Sequence, residues 1–152
     1  MTGAAAGSVL VPIDGSHHSY RALRHALDTF PEASVTALHV VDLFEPDRGV
    51  GSGGGSVYEP PMGSKAWYER AEAASSEILE EAERIADARG RELATISEIG
   101  DPERLIVEIA DEEEIDHVVM GTHGRPEGKR PVYGSTADAV ARRAPVSVTL
   151  VR

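Results

Sequence analysis

Gly121-Thr-His-Gly124 is followed by nine residues and then by Gly134-Ser135-Thr136. Glycines let backbone amides approach a phosphate closely, and a helix starting there would add unpaired N–H groups and partial positive charge. The Ser135 hydroxyl supplies a further donor. Phosphate binding is the chemistry this spacing allows; the plainer reading is a glycine that ends a strand and a serine that caps a helix. Asp14, in Asp14-Gly15-Ser16 directly after an apolar run, could face a ligand or merely cap the helix that follows. His17, His18 and His123 fall near the same end of their elements and invite a hydrolase or metal-site reading, although solvent-facing histidines are commoner than ligands. Asp101 reads as a helix cap, and Glu80-Glu81 and Glu112-Glu-Glu114 read as solvated helix faces.

The elements that must position these residues follow from periodicity. Ser8 to Ile13 is a short apolar run, a buried strand leading into a helix on which Leu23, Ala26, Leu27 and Phe30 form one stripe, closed by Pro31. Ser34 to Val41 gives a second strand. Residues 45–63 hold six glycines and three prolines and are expected to form a long mobile loop. From Ser64 to Arg89 the series Trp67, Ala71, Ala74, Ile78, Ala82, Ile85 marks an amphipathic helix ended by Gly90. Glu92 to Glu98 can form a third strand; Asp101-Pro102 opens a helix through Leu105, Ile106, Ile109 and Ala110. Asp116 to Met120 is a fourth strand, Gly134 to Arg143 a short helix, and Val146 to Val151 a fifth strand. Strands alternating with helices predict a doubly wound parallel α/β sheet, with ligands beyond the strand carboxyl ends where the winding reverses. With strands one and four adjacent, that crevice lies between Asp14 and Gly121.

Composition narrows the function. The 152 residues suit one domain, 1–152, with residues 1–7 as a flexible tail. There is no apolar run of about 18 residues for a membrane span and no secretory signal in Met1 to Gly7, so a cytoplasmic location is expected. Zero cysteines exclude disulfides and thiolate chemistry. A net charge of −11 disfavours a surface that tracks nucleic-acid phosphates. Only Lys65 and Lys129 are lysines among 15 Lys plus Arg, an acidic, lysine-poor balance that suits a saline cytoplasm.

The spacing Gly-x2-Gly-x9-Gly-Ser resembles the signature of ATP-binding universal stress proteins. Val9-Leu-Val-Pro-Ile-Asp14-Gly15-Ser16, Leu38-His-Val-Val41-Asp42, Gly100-Asp101-Pro102 and Asp116-His-Val-Val-Met-Gly-Thr-His-Gly124 are similar to the family's other landmarks, and the acidic composition suggests a haloarchaeal member. The resemblance implies a Rossmann-like sheet of the adenine nucleotide alpha hydrolase kind, strand order 3-2-1-4-5. It also implies ATP with Mg2+ as ligands. Pro12 and Asp14 would lie under the nucleoside, Asp14 near the ribose or a phosphate-bound metal. Val40 would meet adenine through its backbone, Met120 and Gly121 would flank base and sugar, and Gly124, Gly134, Ser135 and Thr136 would surround the phosphates. Thr136 stands where the family often has valine, and Pro126, Gly128 and Pro131 give the nine-residue stretch an unusual make-up.

The expected function is a nucleotide-dependent regulatory or stress-response module with unidentified protein partners. Two other classes stay open: an ATP-using enzyme of similar fold, slow or adenylating, and a family member that binds no nucleotide. The enzyme reading lacks a Gly-x4-Gly-Lys-Ser/Thr motif. Val146, Val148 and Leu150 alternate with Ser147 and Thr149, which places the last strand at a sheet edge, where a homodimer is expected to pair.

Overall fold

The computed structural model describes residues 7–42, 60–122 and 135–152. Five strands, β1 (Ser8–Pro12), β2 (Ser34–Asp42), β3 (Ala94–Gly100), β4 (His117–Gly121) and β5 (Ser147–Val151), form one sheet. Its order is β3-β2-β1-β4-β5 and every neighbouring pair is parallel. This is the doubly wound α/β class and the strand order expected from the sequence. Four helices accompany the sheet: α1 (His17–Thr29), α2 (Lys65–Asp87), α3 (Pro102–Glu112) and α4 (Ser135–Arg143). β3 begins and ends two residues later than the apolar pattern suggests, because its ladder with β2 runs from Thr36↔Ala94 to Asp42↔Gly100.

Central strands buried on both faces need apolar residues at successive positions, and β1 supplies them with Val9, Leu10 and Val11, all buried. Alternation then assigns them to two cores. Val9 and Val11 pack with Leu23, Ala26 and Leu27 of α1 and with Ile78 and Ala82 of α2. Leu10 packs on the other face with Leu38, Val118, Ile106 and Val140, under α3 and α4. Each buried leucine or valine contributes about 1.5–3 kcal/mol, so both helix layers are held chiefly by this burial.

The chain connects β1, β2 and β3 outward in one direction and then returns, through α3, to place β4 on the other side of β1. The reversal leaves the carboxyl ends of β1 and β4 side by side, and a crevice opens at that switch point. No helix of the described residues is long and apolar enough to cross a membrane.

Candidate functional site

The turn after β1 shows how the sequence builds the mouth of this crevice. Gly15 adopts φ +85°, a left-handed conformation that glycine tolerates without strain. The turn is then closed by its own side chains: Asp14 Oδ1 accepts from the Ser16 N–H at 2.9 Å, and Ser16 Oγ accepts from the Ser19 N–H at 3.1 Å. Ser16 is therefore the N-cap of α1. Asp14 does not cap the helix; it fixes the turn with one carboxylate oxygen.

An open cleft of about 800 Å³, a volume that includes solvent at its mouth, occupies the carboxyl ends of β1, β2 and β4. Its apolar wall is Leu38, Val40, Ile106, Met120 and Ala137. Its polar wall is Asp14, Ser16, Ser19, His39 and Asp42, with Thr122 and Thr136 towards β4 and α4. A cleft with one apolar side and a few convergent polar groups suits a small amphipathic ligand, the apolar wall taking a flat ring and the polar wall hydroxyls or charged oxygens.

Of the residues singled out in the sequence, Pro12, Asp14, Val40, Met120, Gly121 and Thr136 all line this one cleft, although up to 124 positions separate them in the chain. Ser135 opens α4, while Gly124, Gly134 and His123 lie outside the described residues. His17 is exposed and His18 half-buried, and neither lines the cleft. No group of three or more His, Cys, Asp or Glu that could hold a metal by itself occurs among the described residues. Asp101 occupies the N-cap position of α3, but its side chain makes no capping hydrogen bond. Asp101 O accepts from the Leu105 N–H at 2.9 Å, the first ordinary bond of the helix.

Gly121 has a role that its position in a glycine motif did not disclose. A Cβ at this residue would stand 2.5 Å from His18 O and 2.6 Å from His18 C, backbone atoms of the first turn of α1. Glycine is what lets α1 cross β4 closely enough for Ser16 and Ser19 to reach the cleft.

His39 was also missed. Its imidazole is 6 % exposed, and Nδ1 is hydrogen-bonded to Ser75 Oγ, which in turn lies 2.9 Å from Ser97 Oγ. Burial holds the imidazole below its ordinary pKa, opposed by the Asp14 charge. Nearby, burial together with the charges of Glu81 and Asp14 pushes the Tyr20 phenol up to about 12, and its hydroxyl donates to Ile78 O at 3.2 Å. The only sequence signal for His39 is a polar residue inside an otherwise apolar strand, which marks burial but names no partner.

The parallel sheet and the cleft at its switch point define an open, doubly wound α/β protein with a crevice at the carboxyl ends of its strands. The sequence profile of the universal stress protein family matches residues 6–152, and the chain belongs to that family. It is 31% identical over 147 residues to Universal stress protein MJ0531 of Methanocaldococcus jannaschii, covering 95% of this chain and 81% of that one. Among solved structures, universal stress protein UspA from Lactobacillus plantarum superposes with a TM-score of 0.74 at 26% identity, covering 96% of this chain and 97% of its own. A universal stress protein solved in complex with cAMP gives a TM-score of 0.67 at 26% identity, covering 98% and 99%.

Proposed function

We propose that the chain is a nucleotide-dependent regulatory module of the universal stress response, binding ATP in the cleft between β1 and β4. The observation that carries the reading is the convergence of Pro12, Asp14, Val40, Met120, Gly121 and Thr136 on one cleft lined by both apolar and polar side chains. Support comes from the structural relative that holds cAMP, an adenine nucleotide. In this reading Val40 and Met120 enclose the base, Asp14 meets the ribose or a metal on the phosphates, and Gly124, Gly134, Ser135 and Thr136 receive the phosphates. The donor set fits Mg2+. Asp14 lines the cleft, and Mg2+ is held by one or two carboxylates completed by substrate phosphates and water. When bound, the ion would neutralise phosphate charge. Regulation follows from differential affinity: ATP shifts the population towards the conformer that binds it better, and partners read that conformer.

Calorimetric titration with ATP tests the reading. Gly124→Val should lower affinity at least about tenfold by blocking backbone approach to phosphate, a loss of about 1.4 kcal/mol or more. Equal affinity in wild type and variant, or no ATP binding by the wild type, refutes it.

The same reading makes the protein a cytoplasmic homodimer joined through β5. This strand lies at the sheet edge, and an edge leaves backbone donors and acceptors that a two-fold copy can satisfy. Thr149→Pro removes a backbone donor and should shift the protein towards monomer by light scattering behind a sizing column. A monomeric wild type at micromolar concentration counts against the interface.

A further inference from the structure

His39 is a buried titratable group on the wall of the cleft to which the nucleotide reading gives no task. With Nδ1 committed to Ser75 Oγ, the ring edge left to meet the cleft carries Nε2. Ser75 is 3 % exposed, and beyond it Ser97 is exposed on the edge strand β3. The three side chains form a continuous path from the cleft through the α2 layer to solvent.

Two hydroxyls in series suit both charge states of the ring. With neutral His39, the Ser97 hydroxyl donates to Ser75 Oγ, the Ser75 hydroxyl donates to Nδ1, and Nε2 keeps its hydrogen. With protonated His39, Nδ1–H donates to Ser75 Oγ, Ser75 turns its hydroxyl towards Ser97, and Ser97 turns its own towards water. No hydrogen bond is lost in either state, because each hydroxyl both donates and accepts. What remains is the cost of the charge itself, set by the groups that face the ring. The turn after β1 contributes Asp14, whose charge favours the cation. β2 places Asp42 on the same cleft, and α1 contributes the Ser16 and Ser19 hydroxyls. The buried stripe of α2 surrounds Ser75 with Trp67, Ala71 and Ile78, and β3 contributes Ser97. An empty cleft therefore gives the cation modest support, and an anion entering it adds more.

We propose that an anionic ligand entering the cleft brings a proton onto His39, so that the cleft selects nucleotides over uncharged nucleosides and does so more strongly as pH falls. The proton comes from solvent and reaches Nδ1 by way of Ser97 and Ser75, each hydroxyl accepting one hydrogen and passing on its own. No other bond is made or broken. The cation offsets part of the negative charge that phosphate adds to a cleft already lined by Asp14, whose charge reaches the ring. This inference rests on the nucleotide reading of the cleft.

The test uses the full chain without divalent cation, and three probes: ATP, cAMP and adenosine. The phosphodiester of cAMP keeps one negative charge between about pH 5 and pH 8, so its own ionisation adds nothing to the pH dependence. Nuclear magnetic resonance of the His39 ring should show its pKa rising by about one unit on saturation with ATP or cAMP, and not with adenosine. By linkage one unit is about a tenfold gain in affinity on passing from above both pKa values to below both. In His39→Gln the ratio of cAMP affinities at low and high pH should fall to about one. Because the resonance is read on the wild type, the proposal stays testable if the variant folds poorly. An unmoved His39 pKa in the nucleotide-bound protein, or a pH dependence for cAMP that survives His39→Gln, overturns this inference alone. A chain that binds neither ATP nor cAMP at any pH overturns the nucleotide reading, and this inference falls with it.

Discussion

The two ends of the sheet are built from the same strands and differ in how their polar groups are satisfied. At the amino end, protein meets protein. The Arg91 guanidinium donates to Leu27 O, Phe30 O and Ala33 O at 2.6, 3.1 and 2.9 Å. Asp116 Oδ2 accepts from the Ser8 N–H at 2.9 Å, and His117 Nε2 meets Thr149 Oγ1 at 2.7 Å beside the Phe30 ring. At the carboxyl end Asp14, Ser16 and His39 also have protein partners, but they and Asp42 line an open cleft as well. The same topology thus packs one end closed and leaves a cleft at the other, a division open α/β sheets favour because the switch point leaves a crevice there.

A glycine at each end allows the sharpest test of that division. At Gly7 an added Cβ would meet Asp116 Oδ2 at 2.3 Å, the far end of a side chain that can turn away. At Gly121 it would meet the backbone of His18, which can yield only if α1 moves. Gly121→Ala should cost about 2–3 kcal/mol in denaturant unfolding, as overpacking against backbone does. It should also weaken ATP binding at least tenfold, about 1.4 kcal/mol, because Ser16 and Ser19 move with the helix. Gly7→Ala should cost no more than about 1 kcal/mol, the worth of the exposed Ser8 bond, and leave ATP binding alone. Equal unfolding midpoints for the two variants would remove the distinction.

Arg91 measures the amino end alone. Arg91→Met keeps the stem and removes the donors, leaving three carbonyls near the end of α1 to water; a loss of about 2 kcal/mol is expected, from charge-assisted hydrogen bonds. ATP affinity should not change. A variant that unfolds within about 0.5 kcal/mol of wild type would show that water replaces the guanidinium freely. A variant with altered ATP affinity would show that the ends are coupled through α1.

These contrasts also mark how far the sequence could be read. Strands and helices were legible because burial on one or two faces imposes its own period, as in Val9 to Val11 and in the stripe from Trp67 to Ile85. Asp14, Gly121 and Thr136 stood out by residue type and by their place at strand and helix ends, whereas Pro12, Val40 and Met120 came from a family resemblance, since strand ends far apart in the chain meet only in the folded sheet. Contacts without a local period stayed hidden. His39 bonds to Ser75 36 residues away, and Ser75 to Ser97 22 residues further on. Gly121 stood out as part of a glycine motif, but its contact with His18 lies 103 positions back and follows from how α1 crosses β4. Asp101 was misjudged for a local reason: an acid before Pro102 has the right residue type for a cap, and residue type does not fix the side-chain rotamer.

The helix caps give the smallest expected effects and separate the two roles at the carboxyl end. Ser16 caps α1 with its side chain and lines the cleft, so Ser16→Ala should cost about 1 kcal/mol and also weaken ATP binding. Ser64 caps α2 by accepting from the Trp67 N–H at 3.2 Å and does not line the cleft; Ser64→Ala should cost about as much and leave ATP binding alone. Asp101 differs from both. Its backbone is extended at φ −91°, ψ 115°, and the Leu105 N–H bond to its carbonyl persists in alanine. Pro102 at the first helical position has no N–H to satisfy. What the carboxylate still contributes is attraction to the positive end of α3, about 0.3–1 kcal/mol at low ionic strength and less in salt. Asp101→Ala should therefore cost under about 0.5 kcal/mol in 0.15 M salt and less still at 1 M, where the Debye length is about 3 Å. A loss near 1 kcal/mol that persists at high salt would mean that the carboxylate does swing onto the free N–H groups of α3 in solution, and that Asp101 belongs with Ser16 and Ser64 after all.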